Sequence, residues 1–306
     1  MNISALFEKM LVLFMSMIAG FIAAKAGVMN KDTNKKLSAM VVGLTNPLQI
    51  VSSVMREEYP LTNREVLLLT AVAAACYAVT IALSFLLPKL LRLQAQEAGL
   101  YRFMFIFSNV GFLGYPLAQS LFGPSAVFYV SIFVMFFQLI CWSYGRNLIG
   151  GDGRFHWKWS ILRHPCILAA AISYVLYFTR CPVPSVVSQF CSYIGDLTSP
   201  LIMLVIGCSL ASLSFRQVFG RWQIYVLAAF KMVLLPVMGY LILSRFVTNE
   251  WILGITCMTL CMPVATNTTI ISYQNRGDDA LASSGVFLTT LLSVVSIPLI
   301  MSLLFR

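Results

Sequence analysis

At 306 residues, with 59% hydrophobic and only 10% charged side chains, the chain is far more apolar than a soluble domain, which carries about 25% charged residues. Mean hydropathy is +0.85 and the formal net charge is +10. Together these exclude an ordinary soluble or disordered chain, and they require the basic residues to be located before any nucleic-acid partner is inferred.

A bilayer crossing needs about 20 apolar residues. Residues 4–24 read as a retained first span, because Lys9 is offset by Glu8 and no clear small-residue cleavage site precedes a polar region. Further runs fall at 37–55, 66–88, 103–122, 126–149, 162–179, 186–212, 222–244, 251–273 and 281–305. The predicted class is therefore an all-α polytopic membrane protein with ten transmembrane helices. Loops after odd-numbered spans hold fourteen basic residues, among them Lys25, Lys31, Arg102, Arg146, Arg154, Lys158, Arg216, Arg221 and Arg276. The opposite side holds six: Lys9, Arg56, Arg64, Arg180, Arg245 and Arg306. The positive-inside rule then places both termini outside. The charge reads as topology, and no nucleic-acid partner is expected.

Most cysteines lie inside apolar runs and read as small packing residues. Cys181 and Cys191 flank a non-cytoplasmic loop, and spacing alone leaves their pairing open. No residues with metal-ligand spacing stand out, and no metal or cofactor is expected.

Ten spans divide into five and five, so the second half must enter the membrane from the opposite side. GLTNPLQI at 43–50 and DLTSPLIM at 196–203 share Leu-Thr-x-Pro-Leu at the second position of each half, 153 residues apart. This predicts a 5+5 inverted repeat, with residues 1–152 as the first five-helix unit and 153–306 as the second. Such repeats are typical of secondary transporters.

The fourth span of each half is interrupted. SNVGFLGYPL at 108–117 combines Asn109, Gly111, Gly114 and Pro116; CMPVATNTTI at 261–270 combines Pro263, Thr266, Asn267 and Thr268. A proline removes a backbone donor and frees the carbonyl one turn earlier. Two broken helices in corresponding positions of inverted halves point to a central substrate site. Neutral amides and hydroxyls can hold a carboxylate without burying a charge, and helix half-ends add N–H donors that suit an anion. Asn46, in the repeated Leu-Thr-x-Pro-Leu segment, faces either the pathway or the packing of its own span. Lys231 lies mid-span, where an ammonium costs about 3 kcal/mol on insertion scales. It either attracts an anionic substrate, or takes the place of a coupling cation, or snorkels toward a water-filled cleft or bonds free carbonyls near a broken helix. Asp196 is the weaker candidate for a coupling carboxylate.

These motifs, TNPL in the second span, SNVGFLGYPL in the fourth, SPLIMLVIGCSL in the seventh and CMPVATNTT in the ninth, resemble the auxin efflux carrier family. That family includes plant PIN-type auxin exporters and bacterial malate or malonate permeases. The resemblance implies a fold like those of the bile-acid sodium symporters and sodium/proton antiporters. The first, second, sixth and seventh spans would form a scaffold, and the other six a transport domain. It also implies that the fourth and ninth spans cross at Pro116 and Pro263, with Asn109 and Asn267 beside the substrate. The loop between the fifth and sixth spans is short, unlike that of the plant exporters.

The expected function is a secondary active carrier of a small organic anion, such as a dicarboxylate or auxin-like weak acid, at the cell membrane by elevator-type alternating access. A cation/proton exchanger on the same fold is the alternative, and a membrane sensor a further one. An enzyme is not expected: HExxH is absent, mid-membrane carboxylates are not paired, and His156 and His164 lie near the interface. The implied partners are the organic anion and the lipid bilayer. The coupling ion (H+ or Na+), the direction of transport and assembly as a homodimer stay open.

Overall fold

The computed structural model describes residues 3–55, 60–149, 156, 159–211, 220–275 and 277–305. Arg56, Arg154, Lys158, Arg216, Arg276 and Arg306, which bear on the predicted topology, lie outside the described residues. Among the described residues the chain is all-helical, with one isolated antiparallel bridge between Ser108 and Val264. In chain order the α-helices are α1 (Ile3–Lys25), α2 (Lys31–Met40), α3 (Asn46–Ser52), α4 (Asn63–Ser84), α5 (Leu87–Leu90), α6 (Ala95–Ile106), α7 (Gly114–Phe122), α8 (Ala126–Ile140) and α9 (Arg146–Leu148). They continue with α10 (Pro165–Thr179), α11 (Ser185–Gly195), α12 (Thr198–Ala211), α13 (Trp222–Ala229), α14 (Leu235–Leu243), α15 (Glu250–Leu260), α16 (Asn267–Gln274) and α17 (Asp279–Leu304). Single π-helical turns at Val41–Thr45, Cys141–Gly145 and Phe230–Leu234 join α2 to α3, α8 to α9 and α13 to α14.

Among the described residues, five helical stretches are long and apolar enough to cross a membrane: 63–90, 126–148, 185–211, 222–243 and 279–304. Shorter apolar helices cover Leu11–Lys25, Pro165–Thr179 and Glu250–Leu260. Local sequence explains where several helices begin. Thr62 and Glu65 form a capping box at α4, with Thr62 N–H donating to Glu65 Oε2 at 2.8 Å. Asn30, Asn249 and Asp278 cap α2, α15 and α17 by accepting from backbone N–H groups of the first turn. Gly123, at φ +88, ends α7 in a conformation that a Cβ would oppose.

The chain forms two compact units, each drawing on both halves of the sequence. The first comprises residues 1–69, 111–135 and 162–213; the second comprises 70–110, 136–161 and 214–306. In the first unit, α1 and α12 approach until backbones touch. A Cβ on Gly20 would collide with the Leu204 backbone, and one on Gly207 with the backbone of Met17 and Phe21. Small residues allow this approach where lipid supplies no hydrophobic drive between helices. Asn34 Nδ2 donates to Ser209 Oγ at 2.8 Å and ties α2 to α12. Gly207 thus serves the close approach and Ser209 the hydrogen bond beside it.

In the second unit, Gly285 of α17 lies against the Met104 side chain of α6, and Gly99 of α6 against the Leu148 carbonyl of α9. Arg221, immediately before α13, bonds Glu97 in the first turn of α6 and donates to Asp278, the cap of α17, at 3.2 Å. The hydrogen bond to Glu97 raises the Arg221 pKa above its ordinary value. The starts of three helices are thereby tied together.

Candidate functional site

The site is built on two interruptions in the second unit. Helix α6 ends at Ile106, and Phe107 turns to an extended conformation (φ −97, ψ 107). Helix α15 ends at Leu260, and the chain resumes helical form only at Asn267. Between them the two unwound segments pair. Asn109 N–H donates to the Pro263 carbonyl at 2.8 Å, and Ala265 N–H donates to the Phe107 carbonyl at 3.1 Å. Val264 N–H donates to Thr289 Oγ1 of α17 at 3.0 Å. Non-helical backbone at membrane depth persists only where protein or water satisfies it, and here each segment supplies partners for the other. The Pro263 carbonyl lies outside any helix, and the Asn109 N–H is its partner.

Lys231 completes this arrangement. It lies in the π-helical turn Phe230–Leu234, is fully buried, and its Nζ donates to the Phe105 carbonyl at 2.7 Å. Phe105 is in the last turn of α6, where carbonyls lose their helical partners and the helix dipole presents its negative end. The amine thus has one acceptor, at the negative end of a helix dipole. Bonding a free carbonyl beside a broken helix is one of the alternatives the sequence left open for Lys231.

Around the interruption, Asn109 is 2% exposed and its Nδ2 has no partner. Thr268 is buried, with its hydroxyl on the Ala265 carbonyl at 2.6 Å; Thr266 and Asn267 are partly exposed at the start of α16. The second unit thus brings together Asn109, Lys231, Pro263, Thr266, Asn267 and Thr268. Asn46, Gly111, Gly114 and Pro116 belong to the first unit. Asn46 is buried, with Nδ2 3.8 Å from Cys166 Sγ. Gly114 opens α7 and Pro116 sits in its first turn, where N–H groups have no helical acceptor and a proline is tolerated. The first interruption therefore spans residues 107–113, which include Asn109 and Gly111, and it ends just before the turn that holds Pro116. Asp196 is exposed in the turn between α11 and α12. Cys181 and Cys191 are free thiols. No group of metal-ligating side chains occurs among the described residues.

Sequence reasoning did not single out Phe105, Val264 or Thr289. The Phe105 and Val264 contributions are backbone atoms and leave no side-chain signature. Thr289 stands beside Thr290 within an apolar helix, a polar pair that marked the position without revealing its partner.

The long apolar helices point to an integral, multi-pass membrane protein. A family model described as "Membrane transport protein" matches the chain twice, over residues 5–155 and 154–301, and the chain belongs to this family, that of the auxin efflux carriers. It is similar to an uncharacterized transporter of Methanocaldococcus jannaschii, at 23% identity over 95% of this chain and 96% of the relative. A second uncharacterized transporter, from Methanothermobacter thermautotrophicus, is 22% identical over 95% and 96% of the two chains. A Rhizobium meliloti protein named "Putative malonate transporter" is 25% identical over 85% and 84%.

Proposed function

We propose that the protein is a secondary carrier for a small organic anion, with the paired interruptions of the second unit as its central site. The observation that carries this reading is the Asn109–Pro263 pairing with Lys231 on the adjacent helix end. Asn109 Nδ2 is a buried donor without a protein partner, and a carboxylate offers only acceptors. The start of α16 adds N–H groups and the positive end of a helix dipole. Lys231 contributes positive charge nearby, and neutral donors contact the solute.

Among the described residues, Lys231 is the one charged side chain in the buried set, and no carboxylate belongs to it. This favours an anion over the cation/proton exchanger, whose chemistry needs an intramembrane carboxylate. The name of the R. meliloti relative makes malonate the first solute to try. Elevator-type alternating access, a 5+5 inverted repeat, a cell-membrane location with both termini outside, and driving by an ion gradient or the membrane potential are parts of the same proposal. The twofold match of the family model and the repeated Leu-Thr-x-Pro-Leu segments support the repeat.

The test is uptake into proteoliposomes of a panel of dicarboxylates and indole acids, with and without Na+, pH and voltage gradients. Saturable uptake of at least one acid is expected. Gradient-driven cation flux with no organic acid transported would overturn the reading in favour of the exchanger.

A further inference from the structure

We propose that Gln119, held by Gln49 and Ser199, forms a carboxylate-recognising site in the first unit; this rests on the reading of the protein as an organic-anion carrier. Gln119 lies on α7, and its Oε1 accepts from Gln49 Nε2 at 2.9 Å and from Ser199 Oγ at 2.9 Å. A carbonyl oxygen has two lone pairs, and both are engaged. The amide nitrogen is therefore turned away from these partners. No described residue accepts a hydrogen bond from it, and Gln119 is partly exposed whereas Gln49 is 2% exposed. The result is an oriented NH2 group whose rotamer is set by two bonds behind it. Such a group is a pre-organised donor for an acceptor-only ligand, and it brings no buried charge.

The cluster's support is equally specific. Ser199 lies within one Leu-Thr-x-Pro-Leu segment and Gln49 directly follows the other, so the two repeated stretches converge on one amide. A Cβ on Gly195 would lie 2.8 Å from Gln49 Cα, so α3 seats tightly against α11 and the Gln49 backbone is fixed. Two acceptors on the same face of α3, Asn46 Oδ1 and Gln49 Oε1, are buried with no protein partner. Unpaired polar atoms in hydrocarbon surroundings are costly. Being acceptors, they call for a donor such as water and leave recognition of the carboxylate to the Gln119 amide.

The experiment measures malonate uptake by the full chain in proteoliposomes, comparing wild type with Gln119→Leu, Gln119→Glu and Ser199→Ala. A hydrogen bond to a charged group is worth enough that losing it raises KM about tenfold or more. Gln119→Leu is expected to show that rise with little change in maximal rate. Gln119→Glu, which sets a negative charge against the anion, is expected to exceed it. Ser199→Ala loosens the amide while Gln49 still holds it, and an intermediate rise is expected. If Gln119→Leu elutes as aggregate in gel filtration, the Glu and Ser199→Ala variants decide the matter. Wild-type malonate uptake with unchanged KM in Gln119→Glu and Ser199→Ala overturns this site and leaves the carrier reading standing. A wild type that transports no acid of the panel overturns both.

Discussion

Lys231 and Asn109 are both buried polar residues of the second unit, yet their situations are opposite. Lys231 has a partner at 2.7 Å, the Phe105 carbonyl, whereas Asn109 Nδ2 has none. Removing one member of a buried pair leaves the other unsatisfied and costs about 1–3 kcal/mol. Lys231→Met should therefore lower stability by about that amount, measured as thermal unfolding in detergent. Lys231→Gln retains a donor and should lose less stability while weakening anion affinity. Asn109→Ala removes a group that nothing in the protein satisfies. It should leave the unfolding midpoint nearly unchanged and abolish most anion binding. A large stability loss in Asn109→Ala, with affinity intact, would assign the residue to packing.

At the scale of elements, the interruptions depend on each other. The α15–α16 break was legible because Pro263 and the Thr-Asn-Thr run stand inside an apolar stretch. The α6–α7 break was legible only as a region. Pro116 suggested its position, yet Pro116 lies in the first turn of α7 and the chain leaves helical form at Phe107. No local feature of Phe107 or Ser108 ends a helix. The ending is enforced by the bridge to Val264, 156 residues away, which no window of sequence contains. Thr289 belongs to the same class of long-range partner, since its hydroxyl accepts from Val264 N–H at 3.0 Å. Thr289→Val keeps the shape but removes the acceptor, and should destabilise by about 1–3 kcal/mol. Thr289→Ser should restore most of that loss, and equal unfolding midpoints for the Val and Ser variants would contradict the assignment.

Across the whole molecule, composition alone established a polytopic membrane protein, and the doubled family match accords with the repeat read from Leu-Thr-x-Pro-Leu. The division into compact units was not readable from sequence periodicity, because each unit gathers segments from both halves of the chain. Within the first unit, the α1–α12 contact relies on Gly20 and Gly207, whose added Cβ atoms would strike backbone that has no rotamer to yield. Gly207→Val should reduce the yield of monodisperse protein sharply and lower its unfolding midpoint, whereas Gly43→Ala, with nothing near its Cβ, should not. In the proposed function the paired interruptions hold an organic anion for transport. Malonate uptake into proteoliposomes, measured side by side for wild type and Asn109→Ala, tests it most directly. Saturable uptake by wild type that falls at least about tenfold in affinity in Asn109→Ala, the scale of one hydrogen bond to a charged group, is the predicted result. Uptake unaffected by Asn109→Ala would contradict the account.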